Sequence, residues 1–274
     1  EIMKPFLSVK NSQSAPMAGI IGHSHMDTAW LWPIDVTLKK CARTYSNQIS
    51  LMEQYPEYRF IQSSAYHTEM LRRHYPQVFE MIRDKVAEGR YEPNGAVWVE
   101  CDCNITSGEF MIRQMLWGQN FTREHFDFTS NCLWMPDTFG YSAAIPQIMK
   151  GCHVDYFLTT KLSWNDTNRF PYETFYWEGI DGTRVFTHFN SIHCWPDAET
   201  LIKSLEGRES DNYIQNKRTV NKRLVSYGFG DGGGGPQFEM IEAARRVRDL
   251  DGCPKAEHVE VGQFMRDMEK EAID

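Results

Sequence analysis

No uncharged apolar run in the 274-residue sequence approaches the roughly 20 residues that a membrane-spanning helix needs. The opening stretch, EIMKPFLSVKNSQSAP, lacks the apolar core of a secretory signal peptide. Basic charge is scarce: 29 Lys and Arg stand against 37 Asp and Glu, a net charge of −8. The basic footprint of a nucleic-acid binder is therefore missing. Paired cysteines are missing as well. The seven cysteines, at 41, 101, 103, 132, 152, 194 and 253, are odd in number and scattered. Cys101-Asp102-Cys103 is not a C-x-x-C clip, and no second Cys/His pair completes it. These absences exclude a disulfide framework, a membrane protein and a nucleic-acid module, and they favour a reducing compartment, so the cytoplasm is expected. Three Asn-x-Ser/Thr triplets, at Asn104, Asn120 and Asn165, point toward secretion, but such triplets are common by chance. There is no internal repeat and no low-complexity segment.

What is present is the mixture of a globular protein, 41% hydrophobic and 24% charged. The length allows one large α/β domain or two small ones. Apolar runs at 17–23, 58–64, 91–99, 131–136, 156–161, 184–190, 223–229 and 257–261 read as buried strands. Helix-period stretches lie between most of them, at 32–54, 66–88, 108–126, 142–151, 197–206 and 238–250. Ser107 and Glu109 give the helix from 108 an acidic first turn. Strand and helix in alternation predict a parallel sheet, as a closed barrel or doubly wound. The stretch 161–183 has no helical period and reads as a long loop with room for a short hairpin. The chain ends in a helix-like FMRDMEKEAID without a cap or a Gly stop, as though cut.

Three constellations carry chemistry. In the first, Gly22-His23-Ser24-His25-Met26-Asp27-Thr28-Ala29-Trp30 follows an apolar strand directly, at the end where α/β folds place their active sites. In extended chain, residues i and i+2 point the same way, so His25 and Asp27 converge, with His23 in phase. An imidazole beside a carboxylate suits a divalent metal such as zinc. Burying such groups bare would be costly, so a ligand is the better reading than a satisfied core histidine.

In the second, Trp134-Met135-Pro136-Asp137-Thr138-Phe139-Gly140-Tyr141-Ser142 again delivers a carboxylate at a strand end. Asp137 can be a metal ligand, a nucleophile, a general base or a helix cap. The third is Tyr227-Gly228-Phe229-Gly230-Asp231, followed by four glycines and Pro236. No Lys-Ser/Thr follows it, so a Walker-type phosphate loop is rejected. What remains is Asp231 in a loop where backbone must approach a ligand closely, as a second carboxylate facing Asp137. Two carboxylates and a metal, with Trp30, Trp98, Trp164 and Tyr141 around them, describe a carbohydrate site.

These motifs, in this order, resemble the catalytic domain of glycoside hydrolase family 38, the α-mannosidases, and its cytosolic/vacuolar and bacterial branch rather than the Golgi one. The stretches 92–109 and 156–165 fit too, so the resemblance covers nearly the whole chain. It implies a seven-stranded (β/α) barrel-like parallel sheet with helices around it. It implies one zinc ion, Zn2+, held by His25, Asp27 and Asp137. Asp137 would also be the nucleophile of a retaining hydrolysis of terminal α-mannosides in oligosaccharides or glycans. Trp30 matches the tryptophan under the bound sugar, and Lys161 a basic residue near the nucleophile. Asp231, partly buried among glycines and near another carboxylate, should hold a proton and serve as acid/base, with Asp102, Asp166 or a held water as the alternatives. In a retaining site the two carboxyls should lie roughly 5–5.5 Å apart.

The family's zinc takes a fourth protein ligand, a histidine well beyond the Gly-rich motif, and no matching His-Asp segment is present. Residues 1–274 therefore read as one catalytic domain, cut before the helical-bundle and β-sandwich domains of the family. His188 or His193 is the available local substitute. An apolar face left open by missing domains should invite association, and a homo-oligomer of the full-length protein is left open. Neither nucleic acid nor membrane is an expected partner. Two competing readings remain: a metal-dependent carbohydrate deacetylase, and a non-catalytic sugar- or metal-binding fragment.

Overall fold

The computed structural model describes residues 4–168, 170–206 and 220–273. A short helix α1 (Lys4–Leu7) precedes β1 (Met17–His23), MAGIIGH, which is buried from its second residue onward. Such continuous burial marks a strand covered on both faces. Its side chains alternate between two environments: Ala18 and Ile20 pack in one core, Ile21 in another. The odd-numbered face is the one that delivers the histidines.

Helix α2 (Ile34–Gln54) follows Pro33 and leads to β2 (Phe60–Ile61). The single helical stretch expected over 66–88 is two helices, α3 (Ala65–His74) and α4 (Pro76–Ala87). The apolar period runs straight through, but Pro76 bars Tyr75 from helical backbone, and Tyr75 sits at φ −137°, ψ 61°. Next come β3 (Tyr91–Glu92), α5 (Gly108–Phe126), β4 (Cys132–Trp134), α6 (Ile145–Gly151) and β5 (Tyr156–Thr159). The Ser107 side chain caps α5 by accepting from the Phe110 backbone N–H at 3.4 Å.

The expected strands at 58–64 and 91–99 shrink to two residues each, since Pro93 offers no N–H to a ladder and ends β3. The loop expected at 161–183 holds a 3-10 turn at Lys161–Trp164 and then β6 (Thr174–Glu178), which pairs antiparallel with β7 (Arg184–Phe189). The rest is β8 (Ser191–Cys194), α7 (Ala198–Glu206), β9 (Lys222–Tyr227), α8 (Phe238–Val247), β10 (Lys255–His258) and α9 (Val261–Ile273).

The ladders draw two sheets rather than one closed ring of seven. One runs β3-β2-β1-β9-β8 with β10 also on β1; the other runs β4-β5-β7-β6. Every pair but β6–β7 is parallel. At one seam the sheets touch through Trp134 N–H to Gly95 O, at 3.5 Å. At the other, the chain itself passes from β7 through Asn190 into β8. Three buried clusters fill the structure. The largest packs β1, β2 and β9 on α2, α3 and α8. The second joins the inner side chains Ile21, Trp134, Leu158 and Leu224 to Phe264, Met265 and Met268 of α9. The third packs β4 and β5 on α5 and α6. This mixed α/β architecture gathers the carboxyl ends of the parallel strands at one rim.

Candidate active site

The rim is built around His25, two residues beyond β1. His23, the last residue of the strand, lies with its ring 5.1 Å from that of Trp134. Burial, reinforced by the neighbouring His25 and His193, pushes its pKa well below the usual imidazole value, so it is a neutral core group. His25 is only 5% exposed, and its Nε2 faces two carboxylates: Asp27 Oδ1 at 3.5 Å and Asp137 Oδ2 at 3.7 Å. Suitable ligand atoms of His25, Asp27 and Asp137 all lie within 4.8 Å of one another.

These three residues fit a cation on an observation beyond proximity. His25 Nε2 is buried and has no hydrogen-bond partner. An orphaned imidazole nitrogen aimed at two carboxylates is costly unless something positive sits among them. Burial pulls the His25 pKa down, but contacts with Asp27 and Glu100 prevail and raise it to about 10. The surroundings thus stabilise positive charge at this point, and imidazole plus carboxylates is a donor set that zinc and similar divalent metals accept.

Asp137 is placed from behind by Glu100. One oxygen of Glu100 accepts from the backbone N–H of Asp137 at 2.6 Å, from that of Thr138 at 2.8 Å and from the Thr138 hydroxyl at 3.1 Å. The other lies 3.3 Å from His25 Nδ1. From the front, Lys161 Nζ donates to Asp137 Oδ1 at 2.5 Å and sits 3.9 Å above the centre of the Trp164 ring. Gly140 lets the loop leave: its φ is +144°, and a Cβ there would lie 2.1 Å from Asn104 Nδ2.

Two cavities meet at the cluster. A smaller one of about 200 Å³ lies toward Glu100, Asp102 and Thr138. A larger one of about 800 Å³ opens past Trp30, Lys161, Trp164, His193 and Asp231. Asp27, Asp137 and Phe139 line both. Trp30 is 60% exposed and stands edge-on to Trp32, 5.6 Å away, so its free face is open to a ligand. The Gly-rich loop is stitched to its neighbours by Lys40 Nζ to Gly232 O at 3.2 Å and by a Met26–Gly232 bridge.

Asp231 differs from its expected setting. It reaches the larger cavity, yet it is exposed, because the glycines beside it have no side chains to cover it and its backbone is left-handed at φ 55°. Trp98 and Tyr141 line neither cavity. Trp98 packs among Tyr66, Trp117 and Phe121, and the Tyr141 hydroxyl is tied to that of Thr159 and to Met135 O. Asp102 is half-buried beside the smaller cavity and accepts from the backbone of Ile105 and Asn104, which holds its carboxyl below the usual range. Asp166 lies in the exposed loop, outside both cavities.

Of the two histidines expected as local ligands, His188 is spent elsewhere. Its Nε2 accepts from Leu224 N–H at 3.1 Å and its Nδ1 meets the Thr174 hydroxyl at 2.9 Å. His193 does face the site, with its ring 5.9 Å from that of His25. It rests on Gly230, where a Cβ would come within 1.7 Å of Nε2. Sequence reasoning left Glu100 without a role, although it lies within the WVE stretch that fits the resemblance. It also missed Phe139 as a rim residue and Glu199, Thr200 and Lys203 of α7 on the far wall of the larger cavity.

Residues 17–274 match the family described as the glycosyl hydrolases family 38 N-terminal domain. The chain is 41% identical over 269 residues to alpha-mannosidase G of Dictyostelium discoideum, covering 97% of this chain and 24% of that protein. It is 40% identical over 270 residues to alpha-mannosidase 2C1 of Mus musculus, covering 97% and 25%. The solved structure of an alpha-mannosidase from Enterococcus faecalis V583 superposes with a TM-score of 0.78 at 19% identity, over 93% of this chain and 29% of that one. At that identity the likeness speaks for the fold alone. The chain spans about a quarter of the length of the curated relatives it matches.

Proposed function

The chain belongs to glycosyl hydrolase family 38, and from that premise we propose that it is the catalytic domain of a metal-dependent, retaining α-mannosidase. The observation that carries the reading is the orphaned His25 Nε2 facing Asp27 and Asp137 at the rim of the sheet. His25, Asp27 and Asp137 would hold the ion, which we take to be zinc. When bound, it supplies a Lewis acid for neighbouring hydroxyls of the sugar.

The remaining roles fall to the chain's own groups. Trp30 offers its open face to the apolar side of a mannose ring. Asp137 attacks the anomeric carbon; the bond to the glycosidic oxygen breaks, and that oxygen departs with a proton from Asp231. Water then attacks the same carbon and returns a proton to Asp231, while the bond to Asp137 breaks and net configuration is retained. Lys161 balances the charge of Asp137 and fixes one of its oxygens, so that attack starts from a defined carboxylate orientation. Asp231 is preferred as acid over Asp102, whose two backbone N–H donors favour its ionised form.

The strand order supports reading β1, β2, β3, β4, β5, β7 and β9 as an opened seven-stranded barrel, and we adopt it. The substrate we propose is a terminal α-mannoside of an oligosaccharide or glycan. The cytoplasm is the proposed location. In support, the seven cysteines form no disulfide, and among the described residues no helix is long and apolar enough to cross a membrane.

The test is hydrolysis of an aryl α-mannoside by the complete protein, followed by trapping with a fluorinated mannosyl fluoride and peptide mass mapping. A mannosyl adduct on Asp137 is expected. Amide hydrolysis of an N-acetylated sugar without any adduct would replace this reading with the deacetylase one.

A further inference from the structure

Glu100 uses both of its oxygens, and it uses them on different residues. Oε1 takes three donors from Asp137 and Thr138, which is enough by itself to cap that turn. Oε2 is directed elsewhere, to within 3.3 Å of His25 Nδ1, and the side chain is only 14% exposed. A purely structural cap has no need of the second contact.

That contact has a chemical consequence. An imidazole that binds a cation through one nitrogen keeps its proton on the other, and what each nitrogen meets decides which is which. Glu100 already accepts three donors at Oε1 and turns Oε2 to Nδ1, so Nδ1 is the nitrogen that keeps the proton. The lone pair is then on Nε2, the nitrogen aimed at Asp27 and Asp137. We propose that Glu100 is a positioning residue, which fixes His25 in its Nδ1–H form and at the same time sets the backbone of Asp137. One carboxylate thereby couples two of the three ligands, a histidine from the end of β1 and an aspartate from beyond β4. The inference rests on the metal-centre reading given above. Carboxylate groups behind metal-bound histidines tune affinity by about 10–100-fold.

Glu100→Gln separates the two duties. The amide keeps an oxygen for the donors of Asp137 and Thr138, but turns an NH2 toward His25 Nδ1, which favours the opposite tautomer. In the complete protein, Zn2+ affinity measured by competition with a chromogenic chelator should fall about 10–100-fold. The visible absorption of the Co2+-loaded protein should change, while the melting temperature of the metal-free protein stays where it was. An affinity and a Co2+ spectrum equal to those of the unsubstituted protein would overturn the proposal and leave Glu100 a loop cap. His25→Ala is the companion variant. If it leaves Zn2+ affinity unaltered, the metal centre itself is misread and the proposal falls with it. The tautomer can also be read without a variant at Glu100: 15N NMR of the zinc-loaded protein should show a proton on His25 Nδ1. A proton on Nε2 would refute the assignment.

Discussion

Lys161 Nζ lies 2.5 Å from Asp137 Oδ1, and the same ammonium rests 3.9 Å above the Trp164 ring. The carboxylate proposed as nucleophile is therefore held from the solvent side by a cation that is itself held by an aromatic face. Removing the charge should loosen the carboxylate more than it loosens the fold. Lys161→Ala is expected to lower kcat on an aryl α-mannoside on the order of 100-fold, comparable with losing one aligned donor at a reacting centre. Steady-state kinetics beside a melting curve checks it; a variant with unchanged kcat would remove Lys161 from the mechanism.

Trp30 is a platform rather than a core residue, at 60% exposure. Trp30→Ala should raise KM about tenfold or more, as the loss of one ring–sugar contact implies. Its stability should change by less than about 1 kcal/mol, as for exposed positions in general. A large loss of stability with unchanged KM would contradict that placement.

Gly230 carries the ring of His193. A Cβ at this position must push His193 away and shift the adjoining Asp231, so Gly230→Ala should cut activity while leaving the unfolding transition cooperative. Wild-type kinetics in this variant would show that neither side chain needs its observed position.

His188 gives a prediction about pH. Burial, with a smaller contribution from Arg223, lowers its pKa to about 3, and its Nε2 must stay unprotonated to accept from Leu224 N–H. Its folded pKa lies below the unfolded value near 6.5. The unfolded state therefore takes up the proton first, and the stability tied to neutral His188 is intact above about 6.5 and lost as pH falls toward 3. Between pH 7 and 5 the protein should lose on the order of 1–2 kcal/mol through this residue. Urea unfolding of His188→Gln at both pH values should show a correspondingly smaller loss. An identical loss would mean that His188 is protonated when folded.

Much of the site is legible because it sits on strand ends. The alternation along β1 puts His25 on the inward face, and the apolar run before Asp137 announces a strand that stops there. Glu100 is not legible in the same way. It reaches back from an irregular segment, and its main partners are backbone N–H groups 37 and 38 positions downstream, which leave no pattern of side chains. Trp98 and Tyr141 were expected at the sugar because aromatic identity says nothing about which side of the chain a ring faces. Both turn into packed clusters instead. Asp231 was placed in the right loop with the wrong burial, since glycines bring backbone close without covering a side chain. The fold was readable as alternation, but the break at Tyr75–Pro76 was hidden by an apolar period that continues across it. The split of the strands into two ladders was hidden too, because nothing in the alternation marks that β2 and β3 pair over only two residues.

The central claim is that His25, Asp27 and Asp137 form a metal centre, and elemental analysis tests it most directly. The purified complete protein should carry one equivalent of zinc, and Asp27→Ala, prepared identically, should carry none. Absence of metal from both, or equal zinc in both, would contradict the assignment.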